Sequence, residues 1–331
     1  MNGISASRLN ELKNRFYGKR VAVVGDMMLD CYFWGDVHRI SPEAPVPIVE
    51  IDNEFFRFGG ASNVAYNIIK LGGSPIPIGV IGDDNSGSIF NALMKESNIS
   101  SEGIFVDSSR PTTSKTRVIA ADQHVVRIDR EHKNSISAET ETKIVNFVTE
   151  RIDTIDAIIF QDYNKGVITK TLIHSLIALA KKNSKIVTVD PKFNNFVEYK
   201  NATVFKPNRK ETEDAFGIRI STEEDIRKAC EMLLDKLKAK YILLTLGKDG
   251  IALFEKDKPL ERISTVARKA RDVSGAGDTV ISTLTVALAA GADIHEAAYL
   301  ANYAGGIVCE EVGIVPIEID KLFSTVGALA K

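Results

Sequence analysis

The segment Asp272-Val273-Ser274-Gly275-Ala276-Gly277-Asp278-Thr279, followed by an apolar run from Val280 to Ala290, sets small-residue backbone beside a carboxylate at the mouth of an expected helix. Gly275, Ala276 and Gly277 leave room for an anion to reach N–H groups that a first helical turn leaves without intrahelical acceptors. Such a cradle suits a phosphoryl group in transfer. Asp278 would then sit where an attacking hydroxyl loses its proton, and the positive end of the helix favours the ionised form that a base needs. The same residues also suit an ordinary loop-to-helix turn with an acid in its first turn, so the rest of the chain has to decide.

Further candidates fall at the ends of expected strands, the ligand edge of an open α/β sheet. Val24-Gly25-Asp26 closes one strand, with Asp30 shortly after, and two short carboxylates can accept hydrogen bonds from a polyol. Gly59-Gly60-Ala61-Ser62-Asn63 precedes a helix expected over Val64 to Leu71; its glycines admit a ligand, and Asn63 offers both donor and acceptor. Lys206-Pro207-Asn208-Arg209-Lys210-Glu211 can be read in two ways. Asn208 and Glu211 have the spacing of a capping box, and equally they can face a polyphosphate and hold Mg²⁺ through water. Thr245-Leu246-Gly247-Lys248-Asp249-Gly250 reads either as a plain turn or as the seat of an adenine nucleotide. Asp162-Tyr163-Asn164-Lys165-Gly166 and Asp190-Pro191-Lys192 close two more strands, where Lys165 and Lys192 can meet a phosphate or stay solvated.

These residues need a scaffold, and the hydrophobic pattern supplies one. Val21 to Val24, Ala157 to Phe160, Ile186 to Val189 and Tyr241 to Leu246 read as buried strands, and Thr169 to Lys182 and Ser221 to Leu237 as helices. That alternation predicts a mainly parallel sheet covered by helices. Residues 31–52 and 113–130 break it, with strand character and no helix between their halves. They predict a small antiparallel sheet inserted into one α/β domain over residues 1–331, acting as a lid or a dimerisation surface.

With 331 residues, 44% apolar and 26% charged, the chain can bury a large core. A net charge of −2 argues against a nucleic-acid or membrane-surface protein. Three scattered cysteines, no zinc-type spacing, a polar N-terminal stretch and no long apolar run predict a cytoplasmic protein. No P-loop, dinucleotide fingerprint, G-x-S-x-G or H-E-x-x-H occurs, which disfavours those routes to nucleotide, hydride and hydrolytic chemistry.

Gly59-Gly60-x-x-Asn63 with Asp272-x-x-Gly275-Ala276-Gly277-Asp278 resembles the paired signatures of the ribokinase-like carbohydrate kinases. Gly25 to Asp30, Arg39 to Pro47, Pro111 to Arg117, Arg127-x-Asp129-Arg130 and Asp162-Tyr163-x-Lys165-Gly166 are similar, in particular, to the D-glycero-β-D-manno-heptose 7-phosphate kinases. The resemblance spans essentially the whole chain and implies a three-layer α/β/α fold that uses ATP and Mg²⁺, with a monovalent cation as a further candidate. It also implies phosphorylation of the anomeric O1 on the way to ADP-heptose and lipopolysaccharide, with another sugar kinase or a non-catalytic sugar binder as rivals.

On that reading Asp278 is the base and Gly275 to Gly277 the anion cradle. Asp26, Asp30, Gly59, Gly60, Asn63 and Asp162 face the sugar. Lys115, Arg117, Arg127 and Arg130 on the lid are candidate cations for its 7-phosphate, with Lys165 and Lys192 as the next candidates at the sugar. Asn208, Arg209, Lys210, Glu211, Thr245, Gly247, Gly250 and Asn302 attend the nucleotide. A homodimer through the lid is expected, as is a separate protein for the later adenylyl transfer. Phe193 and Gln161 depart from the family pattern, where Gly and Ser are common, which bears on fine substrate geometry.

Overall fold

The computed structural model describes residues 4–121, 123–265, 273–311, 313 and 315–329. Asp272 of the phosphoryl motif and Asp122 of the expected lid turn lie outside them. From the N-terminus, α1 (Ala6–Phe16) leads into β1 (Arg20–Gly25), then β2 (Met27–Ile40) pairs with β3 (Pro47–Gly60). The chain continues through α2 (Ala61–Lys70), β4 (Ser74–Ile81), α3 (Asn85–Glu96) and β5 (Ile104–Val106) to the hairpin β6 (Thr113–Ala120) and β7 (Gln123–Arg130). Next come α4 (Ala138–Arg151), β8 (Ala157–Gln161), α5 (Lys170–Lys182), β9 (Ile186–Asp190), β10 (Val204–Phe205), α6 (Arg209–Phe216) and α7 (Glu223–Leu237). The last part is β11 (Tyr241–Thr245), β12 (Ile251–Glu255), β13 (Glu261–Ile263), α8 (Ala276–Ala289), α9 (Ile294–Cys309) and α10 (Ile319–Leu329).

A nine-stranded sheet in the order β13-β12-β11-β10-β9-β8-β1-β4-β5 forms the body. It is parallel from β5 through β11, and β12 and β13 join antiparallel. Because successive strand side chains point to opposite faces, Val21 and Val23 enter one core while Ala22 and Val24 enter the other. The first core lies under α1, α2, α8, α9 and α10, the second under α4, α5 and α7. Helix α8 is buried at every residue from Asp278 to Ala287, which explains an apolar run with little amphipathic stripe.

The second sheet, ordered β3-β2-β6-β7, corrects one expectation. Its two hairpins are antiparallel, but its central pair, β2 with β6, is parallel. Between those strands the chain passes through β3, α2, β4, α3 and β5, a crossover long enough to return in the same direction. The first hairpin also runs from Met27 to Gly60, well past residues 31–52, and α2 begins at Ala61 directly behind the glycine pair.

Register puts Asp30, Lys115 and Asp129 in one row of this sheet and Tyr32, Arg117 and Arg127 in the next, all on one face. The sheet and its β2–β3 turn also hold eight of the fourteen exposed large apolar side chains among the described residues: Trp34, Val37, Ile40, Val46, Ile51, Val125, Val126 and Ile128.

Candidate active site

The C-terminal ends of β1, β8, β9 and β10 meet the start of α8. Gly275 caps α8 with φ +79°, in the left-handed region that favours glycine. The Ala276 N–H is spent within the turn, donating to Val273 O at 3.3 Å. A Cβ built on Gly277 would lie 3.7 Å from Asp190 Oδ2 and 3.8 Å from Lys206 Nζ, with nothing else so near among the described residues outside its own helix and chain neighbours. The missing side chain therefore keeps open the space in front of an ion pair. Residues 275–278 line a cleft of about 650 Å³ together with Tyr163, Asp190, Lys192, Lys206, Asn208 and Glu211. Thr245, Gly247, Gly250 and Asn302 line the same cleft further along.

Asp278 is buried and takes three hydrogen bonds from the described residues. Asn63 Nδ2 donates to Oδ2 at 2.7 Å, while the Tyr163 hydroxyl and Gln161 Nε2 donate to Oδ1 at 2.8 and 3.0 Å. Burial lifts its pKa to about 6 and the nearby Asp190 carboxylate adds to this, against the Asn63 and Tyr163 bonds and the Lys206 charge. A carboxyl tuned to that value is ionised near neutrality and basic enough to take a proton.

The opposite cleft wall is ionic. Lys206, 3% exposed, donates to Asp190 Oδ2 at 3.0 Å, and Gln161 Nε2 reaches the same oxygen at 3.2 Å. Lys192 pairs with Glu211 Oε1. Burial works to lower the Lys192 pKa, but the carboxylates of Asp190 and Glu211 outweigh it and leave it raised. Asn208 and Glu211 form the reciprocal capping box at the start of α6: Glu211 N donates to Asn208 Oδ1 at 2.8 Å, and Asn208 N to Glu211 Oε2 at 2.9 Å. The capping alternative is thus present, and both side chains still border the cleft.

Among the described residues no group of three or more His, Cys, Asp or Glu side chains is placed to hold a metal ion directly. The oxygen donors of Asn208 and Glu211 fit a hard cation that keeps its water and takes other oxygens from a polyphosphate. The stretch after β11 is a hairpin turn, closed by Leu246 N donating to Gly250 O at 2.8 Å, and it forms part of the cleft wall. Arg209 pairs with Asp249 at 2.8 Å beside a neighbouring hollow, and Lys210 is exposed away from the residues that line the cleft.

Two carboxylates expected at the sugar hold a loop. Asp26 accepts the N–H groups of Tyr163 at 2.8 Å, Lys165 at 3.1 Å and Val167 at 3.1 Å. Burial, helped by the Asp162 charge, raises its pKa to about 6 against those three bonds. Asp162 accepts from Asn164 N, Asn195 Nδ2 and the Tyr199 hydroxyl, and burial raises its pKa as well. Lys165 is engaged with Glu131 at 2.5 Å.

In the small sheet every expected cation has an acid partner. Arg117 meets Asp30 at 2.7 Å and lies over the Tyr32 ring at 5.1 Å; Lys115 and Arg127 share Asp129 at 3.4 and 2.8 Å; Arg130 reaches Asp84 at 3.8 Å. Burial raises the Asp30 pKa despite Arg117. Gly59 packs on Asp30, and Gly60 takes φ +55° against Asp26 O, so the glycine pair brings β3 close to both acids.

Gln161, Tyr163, Asp190 and Lys206 were not singled out from the sequence as partners of Asp278. Their signal was there, because all four stand at or just beyond the ends of β8, β9 and β10.

Known proteins are similar to this chain to different degrees. The chain is 45% identical over 303 residues to the bifunctional protein HldE of Desulfatibacillum aliphaticivorans, covering 92% of this chain and 62% of that one. It is 40% identical over 314 residues to the bifunctional protein HldE of Pelobacter propionicus, covering 94% and 64%. It thus spans somewhat less than two thirds of the length of these relatives. The structure of Arabidopsis thaliana ribokinase complexed with ribose and ATP superposes with a TM-score of 0.73 at 20% identity, covering 94% of this chain and 99% of that one. Phosphofructokinase-2 of Escherichia coli in complex with potassium gives 0.75 at 19% identity, covering 95% and 99%. The body sheet with helices on both faces and the small separate sheet are therefore the ribokinase-like fold. Residues 19–320 match the profile of the pfkB family carbohydrate kinases, and the chain belongs to that family.

Proposed function

We propose that this carbohydrate kinase transfers the γ-phosphoryl group of ATP to the anomeric O1 of D-glycero-β-D-manno-heptose 7-phosphate. The product, heptose 1,7-bisphosphate, leads to the ADP-heptose of lipopolysaccharide. The observation that carries the reading is Asp278, buried at the N-terminus of α8 with a pKa of about 6 and opening onto a cleft walled by Lys192 and Lys206. In phosphoryl transfer, positioning and charge stabilisation do most of the work. Asp278 takes the proton from O1 as O1 attacks the γ-phosphorus in line. The N-terminus of α8 and Lys206 face the charge that develops on the transferring group. Mg²⁺ accompanying the nucleotide would be held through water by Asn208 and Glu211, where it supplies positive charge to the polyphosphate oxygens.

Asn63 orients the base, and the Asp30–Arg117 pair on the small sheet is the candidate contact for the sugar and its 7-phosphate, with Lys115, Arg127 and Arg130 further out. The small sheet then acts as a lid. Its exposed apolar side chains support a homodimer formed through it. ATP as donor fits a cytoplasmic enzyme, and no helix among the described residues is long and apolar enough to cross a membrane. A separate protein would carry out adenylyl transfer, the later step.

ATP consumption with synthetic heptose 7-phosphate, set beside ribose, fructose and fructose 6-phosphate, tests the substrate. Turnover with heptose 7-phosphate and a product carrying its new phosphate on O1 is expected. Preference for one of the other sugars would leave the family chemistry standing and replace the substrate.

A further inference from the structure

An ionised carboxylate offers about four acceptor directions, two on each oxygen. On Asp278, Oδ1 already receives two donors, the Tyr163 hydroxyl at 2.8 Å and Gln161 Nε2 at 3.0 Å. Oδ2 receives one, Asn63 Nδ2 at 2.7 Å. Among the described residues, the vacant acceptor direction therefore belongs to Oδ2.

Both donors to Oδ1 are held in place. Tyr163 rides on a loop whose backbone is tied down from several sides. Asp26 takes three of its N–H groups, Arg110 donates to Lys165 O at 2.6 Å, and Ile136 N donates to Gly166 O at 2.9 Å. Gly166 has φ +87°, and a Cβ there would fall 2.0 Å from Asn134 O, so the loop has little freedom to move. Burial and the Asp278 charge push the Tyr163 pKa up, which keeps the phenol protonated and donating.

Gln161 is buried at the end of β8 and gives its second amide hydrogen to Asp190 Oδ2 at 3.2 Å. Among the described residues its own Oε1 is buried without a hydrogen-bond partner. Turning the amide over would aim that oxygen at two carboxylates, so the orphaned atom is the cost of bridging Asp278 and Asp190.

We propose that Tyr163 and Gln161 are positioning residues for the phosphoryl transfer: together they saturate Oδ1 of Asp278 and leave Oδ2 as the oxygen that takes the proton from the attacking hydroxyl. This rests on Asp278 being the base. As the sugar O–H bond breaks, its proton passes to Oδ2 and its oxygen forms the new bond to phosphorus. The bond from phosphorus to the bridging oxygen breaks, and ADP leaves with that electron pair. Oδ1 stays fixed throughout. The charged groups that face Asp278 are Asp190 at the end of β9, Lys206 beyond β10 and Lys192 in the segment after β9.

The test is the pH dependence of kcat for the full chain with ATP and heptose 7-phosphate, in Tyr163→Phe, Gln161→Met and Asp278→Asn. Hydrogen bonds to the ionised form lower a carboxyl pKa, so losing one raises it, and the acidic limb of kcat should move to higher pH by about half to one unit in Tyr163→Phe. KM for ATP should stay within about twofold, because uniform binding is untouched. Gln161→Met should move the limb in the same direction, since nothing then bridges the two carboxylates. Limbs that stay at the wild-type position in both variants, with Asp278→Asn inactive, overturn the positioning roles and leave the base. Normal turnover in Asp278→Asn overturns the base and this assignment with it. If Gln161→Met does not fold, Tyr163→Phe decides alone, because it keeps the ring that lies 5.5 Å from Lys192 Nζ.

Discussion

The two halves of the candidate site are built on unlike foundations. At the edge of the nine-stranded sheet, Asp278, Gln161, Asp190 and Lys206 are all buried and bonded to one another, with filled cores on both faces of the sheet behind them. In the four-stranded sheet one face carries paired ions, while Val126 and Ile128 are 48% and 56% exposed. Atoms that move a proton need fixed positions, and the body provides them without help. The small sheet leaves part of an apolar face exposed, and on the proposed reading substrate or a second copy would cover it.

Removing the base should separate the halves most sharply. Asp278→Asn should lower kcat by about 10²- to 10⁴-fold, the usual range for a lost general base, while KM values change little. In the wild type, the carboxyl with a pKa of about 6 loses its basic form as pH falls through that value. kcat should therefore decline about tenfold per unit on the acid side. Turnover that is flat from pH 5 to 8 would remove Asp278 from this role.

On the other half, Arg117→Ala should weaken binding of the phosphosugar by about 1.5 to 3 kcal/mol, read as a raised KM for that substrate and not for ATP. It also strips the buried Asp30 of its partner, so limited proteolysis of the small sheet should speed up. Equal, small changes in both KM values would mean that the phosphate is held elsewhere.

A milder change tests the cover itself. Val126→Ser with Ile128→Ser should shift sedimentation toward monomer and leave the thermal midpoint of the body nearly unchanged. Sedimentation like that of wild type would show that this face is not the contact.

Smallest of all is Glu211→Gln. Gln keeps the capping box, so stability should hold, while the Mg²⁺ concentration for half-maximal rate rises modestly as Lys192 loses its partner. An unchanged metal dependence would leave Glu211 a helix cap only.

Much of the body was legible because burial writes a period into the sequence. Strands β1, β8, β9 and β11 were read within a residue or so, as were the starts of α5 and α7 near Thr169 and Ser221. The small-residue turn at Gly275 stood out because few residue types suit φ +79°. The bonds that tie Asp26 and Asp162 to a loop were not legible. Both were read as sugar ligands, and the first of the amides that Asp26 holds comes from 137 residues further on, a separation that no local spacing encodes. Alternation correctly set Lys115 and Arg117 on one face, yet their acid partners emerge only from the register of β6 against β2 and β7. Gln161 was read only as a departure from a pattern in which Ser is common, since its two carboxylate neighbours come together only in the folded chain.

Asp26 also fixes how slowly one loop trades its protons with solvent. Its side chain takes the amides of Tyr163, Lys165 and Val167, its carbonyl takes Ala61 N at the start of α2, and its own N–H donates to Gln161 O. Surface loops ordinarily exchange amide hydrogens through small local openings, whereas core strands wait for large cooperative ones. Those three amides end on a carboxylate that is 1% exposed, and freeing them means parting the β1 exit, the β8 exit and the head of α2 together. In deuterium oxide the 163–167 segment should therefore keep its hydrogens nearly as long as β1 and β8 do, as a connecting loop that opens only with the core.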